Sequence, residues 1–369
     1  MTRPFSGRAL VVGGLVIAAT HAAVAGSVRA STAPVLVAAS PTPPQPAAIT
    51  ALRARIDARL AALKQAVPTA EVAVALRDLG SGTALDLASD VAYHPASTMK
   101  VPVMIELFRQ VEAGRLSLDQ EVLLVNRFGS IVDGSPYALD AADDSDSSLY
   151  AMVGQRVTLR ELDRRMIVRS SNLATNALIA IVGAPNATAT AHALGASART
   201  QVLRGVEDGP AFRAGMNNVI TAADLATLLA AIEQRRAATA TSCDEMLSVL
   251  RAQEFNDAIP AGIPRGTPVA HKTGSITGVL HDGAIVYPPG KSPYVLVVLT
   301  RGVPQPADAR AAIVDISRLV WEAQTGAVAG RCAASAAATI GAAARLRLCA
   351  AARRPGRGFA SSEAPPRST

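Results

Sequence analysis

Ser97 and Lys100 stand three residues apart in HPASTMKVPVMIELF (94–108), at the start of an apolar run. A serine hydroxyl attacks poorly until a base takes its proton. Lysine can be that base, because a desolvated ammonium loses its proton whereas a guanidinium stays charged. Three apart on a helix, the two side chains share a face. Lysine is also scarce: of 36 Lys plus Arg, only Lys64, Lys100, Lys272 and Lys291 are lysines. Alone, S-x-x-K also arises by chance, with the lysine a solvated surface charge.

Two further motifs follow in order, Ser170-Ser171-Asn172 and Lys272-Thr273-Gly274, so two of the four lysines fall inside motifs. The ordered set S-x-x-K, S-x-N, K-T-G resembles that of the penicillin-recognising serine enzymes, the class A β-lactamases and penicillin-binding proteins, over about residues 49–328. The resemblance implies that Ser97 attacks a carbonyl to form an acyl-enzyme, with Lys100 as its base. The Ser97 and Ser275 N–H groups would stabilise the oxyanion. Ser170 would relay a proton to the leaving nitrogen, and Asn172 would hold the substrate amide. Lys272, Thr273 and Ser275 would bind a carboxylate, and Gly274 would let its strand run close to the substrate. Ser170 as a plain helix cap and Asn172 as a buried hydrogen-bond partner are the alternatives.

Class A members also use a Glu on a loop after S-x-N to activate water. RGVEDGPAFRAGMNN (204–218) offers Glu207, with Asp208 adjacent. The chain departs from the pattern in four places. Ala211 stands where an Asn follows the Glu, leaving Asn217 or Asn218 to substitute. Ser171 replaces the Asp inside S-x-N, His271 precedes K-T-G, and the first interval is long. The resemblance implies a serine hydrolase of class A β-lactamase type acting on a small cyclic amide, without metal or cofactor. The alternatives are a DD-peptidase or penicillin-binding protein, another amide or ester hydrolase, and a non-enzymatic penicillin-binding sensor. The sensor lacks a visible further domain or linker. His94, His271 and His281 read as structural, because serine chemistry of this kind does not use histidine.

The elements that must position these groups follow from periodicity. Residues 50–66 repeat at helical spacing, 71–79 and 83–89 read as strands about the Gly80-Ser81-Gly82 turn, and a helix opens near Ser97. Residues 157–182 are helical with a break at 170–172, and helices follow at 186–194, 221–234 and 242–251. Three strands (268–274, 281–288, 293–302) and a helix (307–326) close the order. This predicts an α+β fold: a five-stranded antiparallel sheet flanked by the terminal helices, plus an all-helical lobe, with the site between. The irregular stretch 126–156 carries Asp140, Asp143, Asp144 and Asp146, which read as a solvated loop.

The ends read differently. Arg3 and Arg8 precede an apolar run and the A-x-A site Ala23-Val24-Ala25, the order of a secretory signal over 1–25. Residues 26–48 read as a flexible leader, and 329–369, rich in Ala and Arg, as a disordered tail. The expected location is periplasmic or secreted, with no membrane span once the signal is cleaved. The net charge of +7 comes from these ends, leaving 26–330 near neutral. With 3% aromatics and no basic stripe, a nucleic-acid surface is excluded. Of Cys243, Cys332 and Cys349 only the first lies in the core, so no core disulfide and no Cys–His metal spacing exists. A monomer is expected.

Overall fold

The computed structural model describes residues 47–326. The chain enters through α1 (Ala47–Ala66) and forms β1 (Glu71–Asp78) and β2 (Ala84–Leu87). A 3-10 turn (Ala96–Met99) leads into α2 (Lys100–Glu112). The irregular stretch holds short strands: β3 (Glu121–Leu123), β4 (Phe128–Gly129), β5 (Pro136–Tyr137) and β6 (Arg156–Thr158). The helical lobe continues with α3 (Leu159–Val168), α4 (Asn172–Val182), α5 (Ala184–Ala193), α6 (Gly209–Arg213), α7 (Ala222–Glu233) and α8 (Ala240–Arg251). It returns through β7 (Val269–Ile276), β8 (Val279–Val286), β9 (Tyr294–Arg301) and α9 (Pro306–Thr325).

β2-β1-β9-β8-β7 form one antiparallel sheet, as the element order predicts. Side chains alternate across it. Ala73 and Ala75 of β1, and Val295, Val297 and Leu299 of β9, face the helical lobe, whereas Val74, Leu76, Tyr294, Leu296 and Val298 join the core under α1 and α9. Burial on both faces explains why β9 reads as an unbroken apolar run. The lobe-facing residues are small where helices come close: a Cβ on Gly283 would lie 2.8 Å from Leu225 of α7.

Local chemistry sets the helix boundaries. Thr158, Ser171, Thr221 and Thr239 cap α3, α4, α7 and α8 by accepting a backbone N–H in the first turn. Gly326, in the left-handed region at φ 71°, ends α9. The break expected at 170–172 falls at 169–171, between α3 and α4, and Asn172 already opens α4.

The acidic stretch is a correction. Asp140 and Asp143 are exposed, but Asp144 and Asp146 are buried. Asp146 pairs with Arg165 and Arg169, and Asp144 accepts backbone amides at the start of α4. A buried carboxylate survives there because donors surround it. The expected signal, leader and tail lie outside the described residues, apart from Ala47 and Ala48 of the leader, which form the first turn of α1. Among the described residues no helix is long and apolar enough to cross a membrane.

Candidate active site

The Ser97 turn is held from the sheet. The His281 ring of β8 bridges the two: Nε2 lies 2.9 Å from His94 O, and Nδ1 lies 2.9 Å from Leu280 O and 3.1 Å from Thr300 N. Burial pushes the pKa of His281 down to about 4, keeping the ring neutral. Thr98 Oγ1 donates to Pro95 O, and His94 Nδ1 accepts the Ala96 N–H. Ala96, just before Ser97, takes a left-handed φ of 46°. Such strain persists only where the surroundings enforce it. β7 then passes directly alongside: a Cβ on Gly274 would lie 3.0 Å from both Pro95 O and Ser97 N.

Strand alternation sorts the β7 residues. Lys272 and Gly274 share the lobe-facing side with Ala270. His271 points to the other side, where it meets Asp282 at 3.0 Å and Asn256 at 3.2 Å. Thr273 and Ser275 line the cleft.

Lys100 and Lys272 are both fully buried and converge on one hydroxyl. Lys100 Nζ donates to Ser170 Oγ at 3.1 Å, to Ser170 O, and to Asn172 Oδ1 at 3.1 Å. Lys272 Nζ donates to Ser170 Oγ at 3.0 Å and to Thr273 O at 2.8 Å. Among the described residues no hydrogen bond joins Lys100 to Ser97, the pair the spacing singled out. Ser170 faces the cleft, and the lysines lie behind it. Burial drives the Lys100 pKa well below the usual lysine range, and the Lys272 charge drives it further. Burial also lowers Lys272, to about 7, against the pull of Asp282. A neutral amine at Lys100 can accept a proton, and a hydroxyl bonded to it can pass one on.

Ser170 is itself at φ 58°, while its neighbour Ser171 serves as the cap. Asn172 is a bridge rather than a buried partner: Oδ1 accepts from Lys100, and Nδ2 donates to Glu207 Oε1 at 3.2 Å. Glu207 is exposed between half-buried Val206 and buried Asp208, and stands at φ 63°. Its carboxylate is nonetheless drawn partly out of bulk water, which raises its pKa against the Asn172 hydrogen bond, and Asp143 raises it further. Asp208 is fully buried, caps α6, and accepts from Ser130 Oγ (2.7 Å) and Ile131 N (2.9 Å). Ala211 is buried. Neither Asn217 nor Asn218 reaches Glu207: Asn217 accepts from Arg204, and Asn218 ties Leu203 and Arg204 to Met99. The side-chain amide beside Glu207 is therefore Asn172.

These groups line a cleft of about 670 Å³ that includes Ser97, Ser170, Asn172, Glu207 and Ser275. Phe212, Phe255 and Ile276 expose apolar surface on its walls, and Arg310 of α9 pairs there with Asp257 at 2.7 Å. Sequence reading singled out none of Phe212, Phe255, Ile276 and Arg310, although Ile276 follows Ser275 directly and Phe212 lies within 204–218. An apolar residue beside a motif looks the same whether it lines a cleft or fills a core.

Known proteins share this framework. The model of the "Beta-lactamase enzyme family" matches residues 52–324. Beta-lactamase Toho-2 of Escherichia coli is 28% identical over 267 residues, covering 69% of this chain and 84% of that protein. The crystal structure of a beta-lactamase from Sphaerobacter thermophilus is similar with a TM-score of 0.62 at 27% identity, over 73% of this chain and 96% of that one. The structure of PBP-A matches with a TM-score of 0.60 at 25% identity, over 72% and 95%.

Proposed function

The chain belongs to the beta-lactamase enzyme family, and from that premise we propose that it hydrolyses the β-lactam amide through an acyl-enzyme on Ser97. The observation that carries the reading is a continuous run of hydrogen bonds, Lys272–Ser170–Lys100–Asn172–Glu207, along one wall of the cleft that also holds Ser97.

In this reading the Ser97 oxygen attacks the lactam carbonyl, and its proton goes to neutral Lys100. The oxyanion is held by the Ser97 and Ser275 N–H groups. Lys100 returns the proton through the Ser170 hydroxyl to the ring nitrogen as the C–N bond breaks. Glu207 then takes a proton from water, and the water oxygen attacks the ester. As the C–O bond breaks, the Ser97 oxygen leaves with the proton that Glu207 gives up, which restores the carboxylate. Lys272, behind Ser170, supplies positive charge for a substrate carboxylate, with Thr273 and Ser275 at the cleft. Asn172 orients the amide side chain of the substrate. The same reading makes the protein periplasmic or secreted, which N-terminal sequencing of the protein from culture medium or periplasm would check.

The similarity to PBP-A favours one second reading, a penicillin-binding protein that acylates and hydrolyses slowly. Glu207→Gln separates the two. In a β-lactamase the variant acylates normally but holds the adduct, with deacylation slowed by at least about 100-fold. Turnover equal to the wild type would remove Glu207 from the mechanism.

A further inference from the structure

Asp144 lies in the irregular stretch, 28 residues before Asn172, and its side chain is buried. One oxygen, Oδ2, accepts the backbone N–H groups of Asn172 and Leu173, both at 2.9 Å, the Tyr150 hydroxyl at 3.1 Å and the Ser171 hydroxyl at 3.4 Å. Its neighbours grip the same turn. Ser145 Oγ donates to Arg169 O at 2.7 Å and to Ser170 O at 3.2 Å, and Asp146 pairs with Arg165 and Arg169. No basic side chain forms an ion pair with Asp144 among the described residues. Its charge is met by amide dipoles at the start of α4.

We infer that Asp144 is a positioning residue: by holding the Asn172 and Leu173 amides it fixes where the Asn172 side chain stands between Lys100 and Glu207. The inference rests on the hydrolytic reading of that site. Ser170, on the same turn, carries both lysine contacts from a left-handed backbone, so a loosened turn displaces the proton relay as well. Asp144 also acts through its charge. The charged groups facing Lys100 are Lys272 from β7, Asp144 and Glu207, and the groups facing Glu207 are Lys100, Asp143, Asp144 and the hydroxyls of Tyr137 and Tyr150. The Asp144 charge raises the proton affinity of both bases. Removing it lets both stay deprotonated at lower pH.

The test compares wild type, Asp144→Ala and Asp144→Asn. The readouts are kcat and KM against pH with a chromogenic cephalosporin, thermal melting, and amide hydrogen exchange of the segment containing Asn172 and Leu173. The alanine variant should lose about 100-fold in kcat/KM, mainly in kcat, as expected for a misplaced group. Its Asn172 and Leu173 amides should exchange faster in protein that is still folded. The asparagine variant can still accept from those amides. It should recover most of the rate, with the acidic limb of its profile moved to lower pH. An alanine variant with wild-type rate and pH limb would overturn the inference, as would a loss that only follows the unfolded fraction. If the alanine variant does not fold, the pH limb of the asparagine variant decides. If the wild type hydrolyses no lactam, the hydrolytic reading fails by itself. Amide exchange then still decides whether Asp144 holds the turn.

Discussion

Ser170 Oγ lies within hydrogen-bond distance of two buried lysine nitrogens at once, and the protonation of those two lysines governs the pH behaviour expected of the site. In the proposed mechanism Lys100 is neutral when it takes a proton, and burial beside Lys272 lowers its pKa well below the ordinary lysine range. In the same mechanism Lys272 is charged when it attracts a carboxylate, and burial lowers its pKa to about 7. kcat/KM for an anionic substrate should therefore fall as pH rises past about 7, through KM. It should fall on the acidic side as Lys100 gains its proton. A bell-shaped profile whose basic limb vanishes for a substrate without the carboxylate is the expected result, and a flat profile would contradict it. At this scale the motif residues were legible because lysine is rare and three short motifs stand in order. Asp144 was not: an Asp in an acidic run looks the same whether it is solvated or folded under a helix. Asn172 as the Glu207 partner was also hidden, because nothing local to 204–218 points to it.

The elements convert sequence distance into contact. β7 brings Lys272 and Gly274 to the lobe-facing side, and the absent Cβ of Gly274 lets the strand lie against the Ser97 turn. Gly274→Val places branched carbons where Pro95 O and Ser97 N already stand 3.0 Å from the first added atom. The backbone atoms cannot rotate away, so strand and turn must separate. Acylation should slow by about 100-fold, since a displacement near 1 Å costs that much, and Tm should fall as the overpacked strand and turn part. Acylation at the wild-type rate would show that the strand is not held to the turn. The sheet was legible in order and number because its strands are apolar runs punctuated by Gly and Pro. The β3–β6 and β4–β5 pairs were not, being two or three residues long with no alternation to read.

The sheet separates two cores, one under α1 and α9 and one shared with the helical lobe. One buried carboxyl works against the second. Asp163 of α3 is buried, its Oδ1 lacks a hydrogen-bond partner, and burial pushes its pKa up to about 7. The folded state thus keeps a proton that the unfolded chain releases near the ordinary Asp value. Stability from this group is complete at low pH and is lost as pH rises towards 7, at a cost on the order of a few kcal/mol. Asp163→Asn should raise Tm at pH 8 and leave it nearly unchanged near pH 4. An equal shift at both pH values would exclude titration of Asp163 as the cause. The central claim concerns the whole protein acting on a lactam, and the most direct test is its intact mass at intervals after a penicillin is added. The account predicts an adduct of the drug's mass on Ser97 that forms, then disappears as hydrolysed penicillin accumulates. An adduct that persists, or none at all, would contradict it.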